Sequence, residues 1–293
     1  VADYAAALPQ GGSRILDFGP GDGWPSLPLA ASLPHAHVLG VDPAPLRAEV
    51  CRSNGARLGV TNASFVVGDG AALPVADRSV DLVTAAASLE EVRVPEAAFA
   101  EIARVLRPAG VLRASYQIWR LPAPRFETVT LVGGIAVDGA PTLVYTYAVR
   151  TQDPPREWRY VMVLPADGEA ARLHAHALVD SATARRAYGE TLVDATSPLG
   201  VPLLERLAPY ARRSFVVELR RWTTDWLAEA LRTAGFREVR ATVHTGDLAR
   251  LVGRGLIARG DAAALAPHFD AITRALGEAG AQQAGESMVT AVR

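Results

Sequence analysis

Short apolar runs alternate with amphipathic stretches over roughly the first hundred residues of the chain. Runs of five to eight mostly apolar residues predict buried strands, and the stretches between them predict helices. Strands that alternate with helices are typical of a parallel sheet with right-handed crossovers. The predicted strands are Arg14–Phe18, His37–Asp42, Ala63–Gly68, Asp81–Ala86 and Val111–Ile118.

Helices are predicted after Pro25, near Ala44–Leu58 and over Pro95–Arg107. The last of these has an apolar stripe at i, i+3, i+4 and i+7, the period of an amphipathic helix. Its members are Phe99, Ile102, Ala103 and Leu106. The turn Pro108-Ala109-Gly110 ends this helix.

The pattern changes after residue 118. Three runs rich in Val, Thr and Tyr, separated by Asp-Gly and Asp-Pro-Pro turns, predict an antiparallel meander. The strands are Phe126–Val137, Thr142–Thr151 and Glu157–Leu164. Helices are predicted over Glu169–Tyr188 and Pro202–Ala211.

The α/β pattern returns at Thr223. Thr223 or Thr224 caps a helix that ends at Gly235, with Leu227, Ala230, Leu231 and Ala234 on one face. The remaining predicted elements are strands over Phe236–His244 and Ser287–Val292, and helices over Asp247–Ile257 and Pro267–Leu276.

Charge and cysteine content narrow the class of protein. The 293 residues carry 30 basic side chains, all arginine, against 31 acidic ones. We therefore expect no nucleic-acid partner and no anionic membrane surface. The absence of lysine excludes Schiff-base and P-loop lysine chemistry. Cys51, the single cysteine, fits a reducing, cytoplasmic location, and we expect neither a signal peptide nor a membrane span.

A strand that runs into three glycines is the most informative stretch of the chain. Gly19, Gly21 and Gly23 let the backbone turn sharply and approach a ligand closely. The helix that starts at Pro25 presents free N–H groups to an anionic ligand. Asp42, at the end of the second strand, is placed to accept both hydroxyls of an adenosine ribose. The alternative reading of the loop alone is a tight turn.

The spacing Gly19-x-Gly21-x-Gly23 differs from the GxGxxG of nicotinamide and flavin enzymes. The stretch Leu16–Gly23 resembles motif I, LDxGxGxG, of the class I S-adenosylmethionine-dependent methyltransferases. Later segments look like the small-molecule "type 11" branch of that family, and the resemblance covers residues 12–118 and 222–293. These segments are Val41-Asp42, Gly68–Ala71, Leu73–Asp81, Arg104–Gly110 and Leu231–Phe236.

The resemblance implies a Rossmann-like, seven-stranded, mostly parallel sheet with helices on both faces. It implies transfer of a methyl group from S-adenosyl-L-methionine to O, N or C of a small-molecule acceptor by in-line displacement, with S-adenosyl-L-homocysteine as product. Asp42 would hold the ribose and Asp69 the adenine amino group. Asp17 would act indirectly, by ordering the loop or contacting the cofactor's ammonium through water. The implied cofactor-binding residues are Asp17, Gly19, Gly21, Gly23, Asp42, Pro43, Asp69, Gly70 and Ala71.

The resemblance names no catalytic side chain. Glu90, where many relatives have histidine, could be a general base, contact a cationic amine, or be an exposed carboxylate at a helix start. His174 and His176 are further candidate bases, but two ligands fall short of a zinc site, so no metal is expected. Trp24 could close over the methionine end or pack on the next helix, and we favour packing.

Residues 119–221 have no counterpart in the resemblance. We expect them to form an antiparallel β/α subdomain inserted into a cofactor-binding domain that is made of residues 1–118 and 222–293. The inserted subdomain would cover the acceptor or form a homodimer. Tyr145 and Tyr147 share one strand face, which is compatible with either of two roles for the aromatic residues of this segment. These aromatic residues could line a hydrophobic pocket for the acceptor, or they could form the insertion's own core or a dimer interface, which we favour. They are Trp119, Phe126, Tyr145, Tyr147, Trp158, Tyr160 and Tyr188. Two other functions stay open: a nicotinamide-dependent oxidoreductase on a similar sheet, and a non-catalytic binding protein with the methyltransferase fold.

Overall fold

The computed structural model describes residues 1–117, 123–135, 140–166, 168–169, 172, 186–187, 190–193, 200–243, 266–268, 271 and 286–293. The chain divides into two compact units. One is formed by residues 1–118 with 222–293, and the other by residues 119–221.

The strands and helices are numbered in chain order. The strands are β1 Arg14–Phe18, β2 His37–Asp42, β3 Ala63–Val67, β4 Val80–Ala86, β5 Leu106–Gln117, β6 Arg125–Ile135, β7 Pro141–Thr151, β8 Arg156–Pro165, β9 Arg186–Ala187, β10 Glu190–Val193, β11 Arg213–Arg220, β12 Glu238–Val243 and β13 Glu286–Val292. The helices are α1 Ala2–Ala5, α2 Ser26–Ser32, α3 Pro45–Leu58, α4 Pro95–Val105, α5 Val201–Leu207 and α6 Thr224–Thr233.

The first unit contains a seven-stranded sheet in the order β12-β13-β5-β4-β1-β2-β3. The five strands from β5 to β3 run parallel, while β13 runs antiparallel to both of its neighbours. The mostly parallel sheet that the resemblance implied is confirmed. Because β1 lies between β4 and β2, the carboxyl ends of these three strands meet at one edge, where open α/β sheets bind ligands.

Helix α4 buries the stripe that its sequence predicts. Ala98, Phe99 and Ile102 are buried, and the Phe99 ring centroid lies 5.4 Å from that of Trp222. The helix ends at Val105 rather than Arg107, because Leu106 already pairs with Val80 as the first residue of β5. The apolar stripe therefore continues from a helix into a strand without leaving the core.

Helix α6 has the cap that its sequence predicts. The Thr223 side chain accepts a hydrogen bond from the Trp226 amide at 3.3 Å. Leu227 and Leu231 are buried on the inner face of the helix. The following Gly235 has a backbone φ of +100°, which residues other than glycine rarely adopt.

The second unit contains a six-stranded sheet in the order β11-β8-β7-β6-β10-β9. Strands β6, β7 and β8 form the antiparallel meander that was predicted. Tyr145 and Tyr147 are buried in the unit's own core with Leu164 and with Leu203 of α5. The interpretation of these tyrosines as core residues, rather than pocket lining, agrees with this position.

One prediction in the second unit was wrong, and one strand was missed. The helix over Glu169–Tyr188 does not reach its predicted end, because Arg186 and Ala187 form β9 and pair with β10. Strand β11 was not predicted, although it pairs with β8 over its whole length. The aromatic residues Trp119 and Tyr188 lie outside the described residues.

The last part of the chain is described only in short stretches. The predicted strand over Phe236–His244 is observed as β12, and the strand over Ser287–Val292 as β13. The predicted helix Asp247–Ile257 and most of Pro267–Leu276 lie outside the described residues, and Ala266–His268 is a 3₁₀ turn. No helix among the described residues is both long and apolar enough to cross a membrane.

Candidate active site

A cavity of about 700 Å³ opens in the first unit at the carboxyl ends of β1, β2 and β4. Four stretches of chain form most of its wall: residues 18–22, 41–44, 69–71 and 86–94 except 89 and 90. Trp24 and Arg47 complete the wall. Each stretch lies at or just after the carboxyl end of a strand, so the sheet itself brings them together.

The three glycines of the loop have left-handed backbones, with φ of +69° at Gly19, +60° at Gly21 and +111° at Gly23. Gly19 and Gly21 line the cavity. A Cβ on Gly19 would lie 2.7 Å from Cβ of Ser88. Gly23 is not among the lining residues, and a Cβ there would lie 2.5 Å from Leu27. Gly23 therefore serves the packing of α2 rather than the cavity wall.

Asp42 joins the glycine loop to the end of β2. Its Oδ1 accepts a hydrogen bond from the Ala44 amide at 2.9 Å, and its Oδ2 accepts one from the Gly21 amide at 3.4 Å. The residue is buried but lines the cavity, as does the adjacent Pro43. Each carboxylate oxygen has two acceptor sites, so both keep capacity for a ligand hydroxyl.

Asp69, Gly70 and Ala71 form a tight turn after β3 and line the same cavity. The Asp69 Oδ1 accepts a hydrogen bond from the Ala71 amide at 2.9 Å, an Asx-type turn. A Cβ on Gly70 would lie only 2.2 Å from Cζ of Phe18. Glycine is needed at this position because the turn passes directly over the Phe18 ring.

Asp17 lies behind the cavity wall and is not among the lining residues. Its carboxylate accepts hydrogen bonds from the hydroxyls of Ser26, at the start of α2, and of Thr84 on β4. Burial raises the pKa of Asp17 to about 7, although these two hydrogen bonds oppose the shift. Asp17 thus connects β1, β4 and α2 beneath the glycine loop, which agrees with an indirect role.

Two residues lie where the sequence analysis did not expect them. Trp24 is 52% exposed and lines the cavity, so the interpretation that it packs on the next helix was wrong. Glu90 is 5% exposed and is not among the lining residues, so it is not the exposed helix-start carboxylate that one reading expected. Its neighbour Glu91 lines the cavity instead. His174 and His176 lie outside the described residues.

Several lining residues were missed by the sequence analysis. Ser88, Arg93 and Val94 follow β4, and Arg47 lies on α3. The Ser88 hydroxyl donates a hydrogen bond to the Phe18 carbonyl and so holds the segment after β4 against the end of β1. Their position after a central parallel strand was the available signal.

Cys51 lies behind the glycine loop. Its Sγ donates to the Gly21 carbonyl at 3.3 Å, and burial raises the pKa of the thiol to about 11. The cysteine is therefore neither exposed nor ionised at neutral pH, which argues against a nucleophilic role. Among the described residues, no group of three or more His, Cys, Asp or Glu side chains could hold a metal ion.

The residues around the cavity fit an adenosine-bearing ligand. Asp42 supplies acceptors for hydroxyl groups, and the glycines at positions 19, 21 and 70 add no side chain of their own to the wall. Asp69 lies on a separate stretch of the wall, after β3. The donor and acceptor set therefore suits S-adenosylmethionine.

Comparison with known proteins finds relatives that are named as methyltransferases. Residues 16–114 match a family model described as a methyltransferase domain. The chain is 31% identical over 173 residues to the demethylmenaquinone methyltransferase of Roseiflexus castenholzii. The aligned region covers 55% of this chain and 71% of that protein. It is 33% identical over 144 residues to the arsenite methyltransferase of Halobacterium salinarum, with 48% and 36% covered.

A solved structure shares the fold. The CcbJ methyltransferase from Streptomyces caelestis superposes with a TM-score of 0.55 at 15% identity, covering 99% of this chain and 93% of that one. The chain spans little more than a third of the first two curated relatives, the arsenite methyltransferase and a malonyl-acyl-carrier-protein O-methyltransferase of Methylococcus capsulatus. It spans more than two thirds of the demethylmenaquinone relative. With that coverage, and with the ordered motifs around one cavity, the chain belongs to the S-adenosylmethionine-dependent methyltransferases.

Proposed function

We propose that this chain binds S-adenosylmethionine in the cavity at the ends of β1, β2 and β4 and transfers its methyl group to O, N or C of a small organic acceptor. The observation that carries the proposal is the convergence of three stretches on one cavity. These are the glycine loop, Asp42 at the end of β2, and the Asp69–Ala71 turn after β3.

In this proposal each stretch contacts a different part of the cofactor. Asp42 accepts hydrogen bonds from the ribose hydroxyls, with Pro43 beside it, and Asp69 accepts one from the adenine amino group. The exposed backbone of Gly19 and Gly21 lies along the methionine portion. Asp17 keeps the loop in place through Ser26 and Thr84. Gly23 acts indirectly, because its lack of a side chain leaves room for Leu27 of α2.

The bound cofactor supplies an electrophilic methyl group on a sulfonium. The protein's task is then to hold the acceptor atom in line with that carbon, about 3–3.5 Å away, and to exclude water. Trp24, Glu91 and Arg93 lie on the part of the wall that the cofactor residues do not form. We propose that they face the acceptor, with the Glu91 carboxylate as the candidate proton acceptor in place of Glu90.

The single cysteine supports an organic acceptor. Soft arsenic chemistry needs thiolate ligands, whereas Cys51 is buried and its pKa is raised to about 11. The name of the Halobacterium relative is therefore a weaker guide to the acceptor than that of the demethylmenaquinone relative, whose named substrate is organic.

We also propose that the unit of residues 119–221 is an insertion that selects the acceptor or forms a homodimer. Its compactness and its own aromatic core support an independent folding unit. A cytoplasmic location and the absence of a nucleic-acid partner belong to the same proposal. They are supported by the single cysteine and the net charge of −1.

Calorimetry with S-adenosylmethionine and S-adenosylhomocysteine tests the cofactor assignment. The wild-type protein should bind both, and Asp42→Ala should weaken binding by about tenfold or more, because a charge-assisted hydrogen bond is lost. Glu49→Ala, an exposed carboxylate on α3, is the matched control and should leave the affinity unchanged. Folded wild-type protein that binds neither compound overturns the proposal. Unchanged affinity of Asp42→Ala overturns the ribose assignment.

Turnover is tested with methyl-labelled S-adenosylmethionine and a panel of quinols, phenols, amines and carboxylic acids. Label transferred to one class identifies the kind of acceptor, and the position of the label in the product, on O, N or C, identifies the acceptor atom. Glu91→Gln should then lower kcat for an oxygen acceptor, whereas Glu96→Gln, an exposed change on α4, should not. Equal rates for the two variants would remove Glu91 from the mechanism.

A further inference from the structure

Strand β11 forms one edge of the six-stranded sheet in the unit of residues 119–221. It pairs with β8 over eight residues, from Arg213↔Val163 to Arg220↔Arg156, without a break in register. In the part of the chain that the structure describes, no strand pairs with the outer side of β11. The opposite edge is formed by the two-residue strand β9.

Long regular edge strands readily pair with another chain. Natural proteins usually protect such edges with short strands, charged side chains, prolines or bulges. Strand β9 is short, whereas β11 is long, regular and free of proline, and its charged residues Arg213, Glu218 and Arg220 lie towards its two ends. The contrast between the two edges makes β11 the candidate interface of this sheet.

The centre of β11 is apolar and exposed. Phe215 is 42% exposed and Val216 is 58% exposed. Because successive side chains of a strand point to opposite faces, each face of the sheet carries one of these two residues at its edge. A partner strand added here would cover both residues while satisfying the outward backbone groups of β11.

The residues in and just before β11 complement themselves in an antiparallel pair. When a second β11 is placed antiparallel with a twofold axis at Phe215, Ser214 faces Val216 and Arg212 faces Glu218. Within its own chain, Glu218 also pairs with Arg156 of β8. The axis repeats every contact, so the arrangement contains two Arg212–Glu218 pairs. Moving the axis to Val216 would instead place Arg212 opposite Arg220, and like charges directly opposite one another destabilise a sheet. Of these two registers, the charges favour the one centred on Phe215.

We propose that two copies of this chain associate through antiparallel pairing of their β11 strands, with the twofold axis at Phe215 and with Arg212 of one copy beside Glu218 of the other. The proposal commits to a second copy because the charges of this edge complement themselves in that register. It uses no residue of the proposed cofactor cavity, so its test is independent of methyl transfer.

Light scattering over a series of micromolar concentrations measures the association. The wild-type protein should dimerise. Glu218→Arg should weaken the dimer at least about tenfold, because it places Arg against Arg212 of the other copy. It also breaks the Glu218–Arg156 pair within each copy, a loss that the double variant shares. The double variant Arg212→Glu/Glu218→Arg should restore the dimer by exchanging the two charges. The matched control Glu205→Arg, an exposed change on α5 of the same unit, should dimerise as the wild type does. Circular dichroism checks that each variant is folded.

Cysteine cross-linking tests the register. Phe215→Cys places two thiols face to face on the axis, within the range that a disulfide can span, so oxidation should give a covalent dimer. Ser214→Cys is the control, since it faces Val216 and not its own counterpart. Cys51 is buried and does not compete. The proposal is overturned by a wild-type protein that stays monomeric, including one that pairs only with a different protein. It is equally overturned by a dimer that ignores the charge exchange, or by cross-linking of Ser214→Cys as fast as Phe215→Cys.

Discussion

The Asp17 carboxylate accepts a hydrogen bond from the Thr84 hydroxyl at 2.9 Å, and both side chains are fully buried beneath the glycine loop. A carboxylate in this position is costly to ionise, because burial removes its hydration. This is why the pKa of Asp17 rises to about 7 in the folded protein, from an ordinary value of 3.8.

This raised pKa predicts a specific dependence of stability on pH. Between about pH 4 and pH 7 the folded state binds a proton at Asp17 that the unfolded state has lost, so Asp17 destabilises the fold increasingly as pH rises through this window. Asp17→Asn should therefore become more stable relative to wild type from pH 4 to pH 8, by up to roughly 4 kcal/mol. Urea unfolding at several pH values measures the difference. Asp22→Asn, an exposed change in the same loop, is the control, and a pH-independent difference for Asp17→Asn would contradict the assignment.

Glu157 in the second unit has a lowered pKa, the opposite of the raised pKa of Asp17. Its burial alone would raise the pKa, but the guanidinium groups of Arg221, Arg159 and Arg150 outweigh that effect and lower the pKa to about 2. The stability that Glu157 contributes is complete above its ordinary pKa of 4.5 and is lost as pH falls from there towards 2.

Glu157→Gln should accordingly destabilise the protein at pH 7 by about 3–5 kcal/mol, because buried arginines lose their counter-charge. The difference from wild type should shrink in acid. Thermal unfolding at pH 7 and pH 3 measures both effects. Glu229→Gln, which breaks the exposed pair with Arg232, should change stability by less than about 1 kcal/mol. An equal effect of the two variants at pH 7 would refute the buried cluster as a stabilising unit.

The close approach of Gly70 to Phe18 predicts a paired result. Gly70→Ala should weaken S-adenosylmethionine binding and lower stability by about 1–3 kcal/mol, because the new methyl group overlaps the ring. Phe18→Leu removes the overlapping ring atoms, so the double variant should bind more tightly than Gly70→Ala alone. Calorimetry measures the S-adenosylmethionine affinity of the three variants. If Gly70→Ala binds as tightly as the wild type, the turn is not held over the ring.

The cap of α6 predicts a smaller effect. Thr223→Ala removes the acceptor for the Trp226 amide and should cost about 1 kcal/mol. Thr223→Ser keeps the oxygen and should lie close to wild type. Both are measured by chemical unfolding, and equal stability of the alanine and serine variants would rule out a contribution from this hydrogen bond.

Local pattern was enough for the elements whose partners lie nearby in the chain. The alternation of strands and helices predicted β1 to β5 and α4, because each needs one apolar face or run to find the core. The cap and apolar face of α6 were readable for the same reason. The glycine spacing and the acids at positions 42 and 69 were also readable, since a loop directly after a parallel strand lies at the ligand edge.

Other features depended on neighbours that are distant in sequence. Strand β11 pairs with β8, about fifty residues earlier, and its short apolar run Phe215–Val217 was not enough to predict it. Glu90 and Glu91 are adjacent acids, and only the 3₁₀ turn Leu89–Glu91 decides that one is buried while the other lines the cavity.

The sequence by itself determined the alternation of elements, the left-handed glycines and the acids at the strand ends, because these rest on local backbone preferences and on the period of apolar residues. The tertiary structure decided that Trp24 lines the cavity, that Asp17 lies behind it, and that β11 is an exposed edge. Burial and strand pairing depend on contacts between segments that are distant in sequence. A short stretch of sequence contains only one of the two segments, so it cannot determine either property.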